Sequence, residues 1–382
     1  MSKARNLSLL STVEAGATTD QTKADLNAIG VNSGRKNLII NGGMQVAQRG
    51  TSLTGLHNNT NYLIDRFSFG GATSSVRLTM SQDSDGPAGF ANSLKLDCTT
   101  ADTSIAAGDE HYFQYRVEGQ DLQRLKKGTS SAESMTLSFY VKGNAAATYT
   151  AEFYDADNNR QNGQTFNVTT SWNRVTLTYA PDTTGAYTDD NTIGVYIVFW
   201  INAGSNHTSG TFTSNTWAAS VTANRVSSSN TSFFDSTART LNITGVQLEV
   251  GSTATDFEHR SYGEELALCQ RYFQKVASGA DTAASTLGIG AMYTSAQLHV
   301  VIDLAVTMRV KPSVTIASGS GYYIMYRAAS SDSHDDYIYD SGSSASNRIE
   351  LYNNTDIGGS AGHAGMVRCN NTNALITADA EL

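Results

Sequence analysis

Met135-Thr136-Leu137-Ser138-Phe139-Tyr140-Val141 sets an apolar side chain at every second position, so Met135, Leu137, Phe139 and Val141 share one face of an extended strand. The same period-two pattern recurs on either side. Upstream lie Val76-Leu78-Met80, Leu94-Leu96-Cys98 and Phe113-Tyr115-Val117. Downstream lie Tyr149-Ala151-Phe153, Phe166-Val168, Val175-Leu177-Tyr179 and Ile193-Val195-Ile197-Phe199. In the last of these Val198 and Trp200 are apolar too, which predicts a strand covered on both faces. Asn162-Gly163 reads as a hairpin turn between two of the strands. Leu241-Ile243 and Val246-Leu248-Val250 alternate out of phase around Gly245, which predicts a β-bulge there. About ten strands with turns between them predict a jelly-roll-like two-sheet sandwich over residues 37–260.

The remaining segments differ in kind. Residues 205–237 are rich in Ser, Thr and Asn and read as a long excursion from the sandwich with a short strand or two. Ser261-Tyr262-Gly263-Glu264 fits a capping box, and Leu266, Cys269, Phe273 and Val276 share a helical face, so a linking helix is predicted over 261–277. Residues 278–382 return to strands, at Leu298-Val300-Ile302-Leu304, Met308-Val310, Ile349-Leu351, Met366-Val367 and Leu375-Ile376, and form a second, smaller β domain. Residues 1–36 read as a leader in which Thr19 caps a short helix ending at Gly30.

Composition agrees with a mainly β, folded chain. Of 382 residues 40% are hydrophobic and 16% charged, with 33 Gly and 3 Pro. The net charge is −9 and the longest basic run is Lys126-Lys127, so an electrostatic nucleic-acid footprint is absent. The three cysteines, Cys98, Cys269 and Cys369, are far apart and imply neither a disulfide framework nor a metal motif. No stretch approaches a membrane span, and Leu7-Leu9-Leu10 is too short for a signal-peptide core, so the expectation is synthesis in a reducing cytosol without a cleaved leader.

Few residues carry catalytic or ligand chemistry. Gly358-Gly359-Ser360-Ala361-Gly362 matches a nucleophile-elbow pattern but lacks the flanking strand and helix, and reads as a loop. Asp155-Ala156-Asp157-Asn158-Asn159 begins like a calcium loop, but Arg160 and Phe166 stand where Gly and Glu are needed, so it reads as a hairpin loop. Asp189-Asp190 and Asp335-Asp336 are adjacent carboxylates that extended chain points apart. No catalytic set, metal site or cofactor is expected. The better lead is Tyr322, Tyr323, Tyr326, Tyr337 and Tyr339 around His334, Asp335 and Asp336, where rings could stack on sugars and polar groups bond hydroxyls, or where the tyrosines pack in strands or at a subunit interface.

Three stretches carry a resemblance. Asn37–Gly50 (NLIINGGMQVAQRG) followed by Tyr62–Phe67 (YLIDRF) is the first, with Asp65-Arg66 read as an ion pair beside Phe67. Gly245–Gly251 (GVQLEVG), Thr255–Glu258 and Cys269–Phe273 (CQRYF) form the second. Met308–Thr315 and the ending Ala378–Leu382 form the third. Together they resemble bacteriophage tail-fibre and host-attachment proteins with a carbohydrate-binding-like sandwich. The resemblance implies a virion structural protein that assembles as a homotrimer or other homo-oligomer. It implies docking to another virion protein through the leader, with Leu7, Leu9, Leu10, Leu26 and Ile29 as the docking residues. It also implies multivalent attachment to a glycan or protein of the host surface. A capsid- or tail-decorating protein and a surface-polysaccharide depolymerase are the alternatives.

Overall fold

The computed structural model describes residues 35–72, 75–282 and 284–382. The expected N-terminal helix and the docking residues Leu7, Leu9, Leu10, Leu26 and Ile29 lie outside the described residues.

The alternating segments become strands, and nearly all pair antiparallel. In chain order they are β1 (Ser52–Leu56), β2 (Asn61–Tyr62), β3 (Phe67–Ala72), β4 (Arg77–Asp83), β5 (Ser93–Thr100), β6 (Glu110–Glu118), β7 (Met135–Gly143), β8 (Ala147–Asp155), β9 (Arg160–Val168), β10 (Asn173–Tyr179) and β11 (Ile193–Ala203). After the helical turn α1 (Ser205–Thr208) come β12 (Ala218–Ala219) and β13 (Thr240–Val250). Sheet I has the order β1-β4-β5-β13-β7-β10, and sheet II the order β12-β9-β8-β11-β6-β3-β2. The chain passes repeatedly from one sheet to the other, so the first domain is a jelly-roll sandwich, as the alternation predicts.

The inward phase of both sheets builds one core. Phe139 of sheet I meets Phe166 and Phe199 of sheet II edge-on, at 5.1 and 5.3 Å between centroids, while Phe113 stacks on Phe199 at 4.6 Å. Gly245 has φ +63°, and the β13–β7 register slips between Thr244 and Gln247, which is the bulge. The other face of β11 is covered as well: Val198 and Trp200 are buried with Val226 of the excursion. The excursion holds only α1, β12 and a short 3-10 turn at Thr222–Asn224.

Two boundaries differ from expectation. Asn162-Gly163 is mid-strand in β9, and the hairpin turn lies earlier, at 156–159. There a four-residue loop closes between paired Asp155 and Arg160, with Asp155 Oδ1 accepting the Asn158 N–H at 3.1 Å and Asn159 in the left-handed conformation. The linking helix is shorter than 261–277. Helix α2 (Tyr262–Gln270) is capped by Ser261 Oγ, which accepts the Glu264 N–H, and β14 (Phe273–Ser278) follows almost at once. Tyr272 and Phe273 are both buried, and extended chain points adjacent side chains to opposite sides. Tyr272 enters the core of the first domain, while Phe273 pairs with the last strand of the second.

The second domain continues with β15 (Thr286–Thr294), β16 (Gln297–Asp303), β17 (Ser313–Ile316), β18 (Tyr323–Arg327), β19 (Ser330–His334), β20 (Ile338–Tyr339), β21 (Arg348–Asn353), β22 (Ala364–Cys369) and β23 (Leu375–Asp379). Sheet III is β14-β23-β17, and sheet IV is β19-β18-β22-β15-β16-β21-β20. A second core, including Val300, Met325, Leu351, Val367 and Ile376, lies between them. Met308 and Val310 are not in a strand; Met308 is buried against Ala378 and Ala380.

The quoted motif stretches converge where the domains meet. Arg66 is buried, donates to Glu381 and to the Arg116 carbonyl (2.7 Å), and lies 3.4 Å over the Tyr272 ring. Arg49 reaches Asp379 at 3.1 Å and Glu381 at 3.3 Å. Arg309 donates to the carbonyls of Ala380, Glu381 and Asn191. Glu118, fully buried, accepts two bonds from Arg271 and one from the Tyr272 hydroxyl. Asp65 and Arg66 therefore do not pair with each other. Asp65 turns to Gln48 and Arg49, and burial pushes its carboxyl pKa up to about 6.

Candidate functional site

The tyrosine cluster expected to bind ligand divides in two. Tyr323, His334 and Tyr337 are core residues: their rings contact one another at centroid distances of 4.8–5.9 Å inside the second domain. Strand alternation decides this, because Tyr323 shares the inward phase of β18 with Met325, and the Tyr323 hydroxyl donates to the Ala317 carbonyl at 2.7 Å. Buried rings cannot stack on a sugar, so for these three the packing reading holds. Tyr322 packs at the core's margin, and Tyr339 donates to the Pro312 carbonyl at 2.9 Å. Tyr326 faces outward and accepts from Arg368 at 2.6 Å. The acidic pair is taken up in loop bonds. Asp335 Oδ1 accepts the Gly321 N–H, and Asp336 accepts from Asn353. At the far end of the β18–β19 hairpin the tip, Ala328-Ala329, has φ +45° and +61°, a conformation Ala adopts at some cost.

Burial of His334 makes a pH prediction. Desolvation pushes its pKa down from 6.5 to about 4, against nearby Asp356, Asp335 and Asp332, which favour the cation. The unfolded chain binds the proton at higher pH than the folded one. Folded-state stability is therefore unaffected above about pH 6.5 and falls as pH drops from there towards about 4. Two and a half pKa steps correspond to about 3 kcal/mol. His334→Phe is expected to flatten this acid loss, giving a melting temperature above wild type at pH 5. Equal slopes for both proteins in a pH series of thermal melts would rule the mechanism out.

The loop that begins like a calcium site holds a resident cation. Lys127 Nζ lies 2.7 Å from Asp155 and 3.2 Å from Asp182, and donates to the Thr184 and Gly185 carbonyls at 2.7 and 2.8 Å. Arg160 donates to both oxygens of Asp182, one of them the oxygen that faces Lys127. Among the described residues no group of three or more His, Cys, Asp or Glu is placed to hold a metal, and no helix is long and apolar enough to cross a membrane. The Gly358–Gly362 stretch is a loop that runs into β22, with no helix behind Ser360.

A different surface gathers ligand-type chemistry: the outer face of sheet II. Register sets Tyr154 of β8 beside Tyr196 of β11, and Tyr196 beside Arg116 of β6. The Tyr154 and Tyr196 rings are 5.8 Å apart. Arg225 lies over Tyr154 at 5.0 Å, and Arg116 over Tyr196 at 5.3 Å. The result is a strip of guanidinium, ring, ring, guanidinium across three strands. Two rows along the same face Tyr112 lies over Gly70, where an added Cβ would stand 2.5 Å from its ring, and meets Trp200 edge-on at 5.2 Å. All three tyrosines and Arg116 are half-buried, held on a rigid sheet with part of each side chain in solvent. Glu152 beneath is fully buried and bonded to Trp200 Nε1 (2.7 Å) and to Arg225 (2.8 and 3.0 Å), which fixes Arg225 in place.

Sequence reading missed this strip because its members are about 40 residues apart and alternate with core residues. The available signal was an aromatic on the outward phase of three strands that become neighbours, of which Trp200 was the visible part.

No protein-family model matches the chain, and no curated protein matches it in sequence. Among solved structures it is similar to the enzymatically active domain of tailspike protein 4 of bacteriophage CBA120, at 16% identity and TM-score 0.29, over 56% of this chain and 21% of that one. The chain thus matches only about a fifth of that tailspike's length. It is also similar to a family 11 carbohydrate-binding module from Clostridium thermocellum in complex with a β-1,3-1,4-mixed-linked tetrasaccharide, at 10% identity and TM-score 0.27, over 55% of this chain and 99% of that one. A third is TmCBM61 in complex with β-1,4-galactotriose, at 10% identity and TM-score 0.30, over 56% and 99%.

Proposed function

We propose that this chain is a glycan-binding attachment protein of a bacteriophage virion that holds the host surface by binding alone, without cleaving what it binds. The observation that carries the glycan reading is the strip Arg225, Tyr154, Tyr196 and Arg116 on the outer face of sheet II. Sugar rings present an apolar face edged by hydroxyls. Tyrosine rings offer the apolar partner, and guanidinium groups in line with them offer donors to hydroxyls. The virion assignment is supported by the resemblance of the three motif stretches. A site of this openness binds a single glycan weakly, so attachment would depend on several copies engaging one surface.

The test is calorimetric titration of the chain with oligosaccharides from host surface polysaccharide. Tyr196→Ala is expected to weaken binding about tenfold, equivalent to ~1.4 kcal/mol, and Tyr154→Ala to act in the same direction, with the folded state retained in both, since Tyr196 only borders the small Val198–Trp200–Val226 cluster and Tyr154 lies in no core cluster. Full affinity in the double variant would overturn the site. Release of reducing ends from the same polysaccharide would overturn the non-catalytic part of the proposal.

A further inference from the structure

Sheet IV turns one face to solvent, and that face is unusually apolar. Among the described residues nine large hydrophobic side chains are exposed, and five of them stand here: Ile289, Tyr293, Val301, Ile338 and Met366. Tyr293 is 75% and Ile289 67% exposed, as far out as surface lysines commonly stand. The register gathers them. Ile289 is opposite Met366, Met366 is opposite Tyr326, and the pairing of Gly290 with Val300 brings Val301 beside Ile289. Val301, Ile289, Met366 and Tyr326 therefore form one row across β16, β15, β22 and β18. Tyr293 extends the patch through His299, 5.6 Å away, to Tyr352 and its neighbour Ile338. From the sizes of these side chains the patch is on the order of a few hundred Å², the size at which an exposed apolar surface marks an interface.

Charge points to the occupant. On this face Arg348 and Arg368 are matched by Asp303 and Glu350, so its formal charge is zero, whereas the whole chain carries −9. Two copies meeting at this face bring no excess of like charge into direct contact. Two such faces stacked, with their rims, would bury roughly 1,000 Å² or more, enough for a specific contact.

We propose that two copies of the chain pair through the outer faces of sheet IV, stacked sheet on sheet about a two-fold axis, with the Ile289–Val301–Met366 rows interlocked. This deepens the attachment reading by supplying the second copy that multivalent binding requires. A face can meet itself only about a two-fold axis, so any three-fold assembly would use additional surfaces.

The test is sedimentation of the full chain and of the Ile289→Glu/Val301→Glu variant, with Tyr293→Asp as a milder variant at the most exposed position. Wild type is expected at twice the protomer mass. Both variants are expected to associate at least about tenfold more weakly while melting as wild type does, since no core side chain changes. A wild-type chain that stays at protomer mass overturns the pairing, as do folded variants that associate as tightly as wild type. Loss of per-protomer glycan affinity in variants of unchanged mass would also overturn it, by making this face a ligand surface. Absence of any glycan binding, alongside association lost in the variants, leaves the pairing standing and removes only the glycan reading.

Discussion

Replacing Lys127 with alanine is expected to destabilise the first domain by about 3–5 kcal/mol, among the larger losses one substitution in this chain should cause. The ammonium is almost fully buried, at 4% side-chain exposure, and Asp155 and Asp182 beside it are at 0% and 4%. Without Lys127, Asp155 keeps its bonds from Asn158 but loses its only ion-pair partner among the described residues, and the Thr184 and Gly185 carbonyls lose this donor. Asp182 keeps Arg160, at 2.8 Å. Uncompensated buried charge is costlier than the intact pair is stabilising, so the double change Lys127→Met with Asp155→Asn should recover much of the loss. Thermal melts decide it. At about 2–4 °C per kcal/mol the single variant should melt roughly 10 °C lower. A drop of only a degree or two, or no recovery in the double variant, would show that the cage is solvated.

The second large effect is expected at Arg66. Arg66→Ala removes one of the two arginines paired with Glu381, leaving Arg49, and removes the donor to the Arg116 carbonyl and the cation over Tyr272. A loss of about 3–5 kcal/mol is expected, and its character matters more than its size. Because Glu381 belongs to the second domain and Arg66 to the first, the change weakens their joint. Calorimetry on wild type should give one transition; on the variant it should resolve into two, with the second domain melting first. A single transition at the wild-type temperature would mean that Arg309, Arg49 and Tyr272 hold the joint without Arg66.

The strands were legible because a half-buried strand writes its burial into every second residue. Met135–Val141, Leu94–Cys98 and Phe113–Val117 fall in strands with those side chains inward. The bulge at Gly245 was legible for the same reason, since a slipped phase beside a glycine has few other causes. The helix end was not. Leu266, Cys269, Phe273 and Val276 keep a helical spacing, but the pairing partner of β14 is more than 90 residues away in β23, and local spacing carries no trace of it. The site suffers from the same limit more severely. A tyrosine-rich segment looks alike whether its rings face the core or solvent; only the phase of β18 against its neighbours divides Tyr323 from Tyr326, and Tyr337 is buried from the loop before β20. The strip on sheet II is assembled by pairing β8, β11 and β6, an order the chain does not follow.

The joint between the domains has a consequence for how such a protein can be rearranged. Its polar groups come from segments spread over the whole described chain: residues 49 and 65–66, 116–118, 191, 271–273, 309 and 379–381. A second domain grafted onto a foreign sandwich would arrive with Glu381 and Arg309 facing no complementary groups, and each stranded charge would oppose the union. A chimaera cut at residue 271 should therefore fold poorly. One that moves residues 35–382 together carries with it every polar partner found among the described residues, so the two domains are best regarded as a single exchangeable cassette.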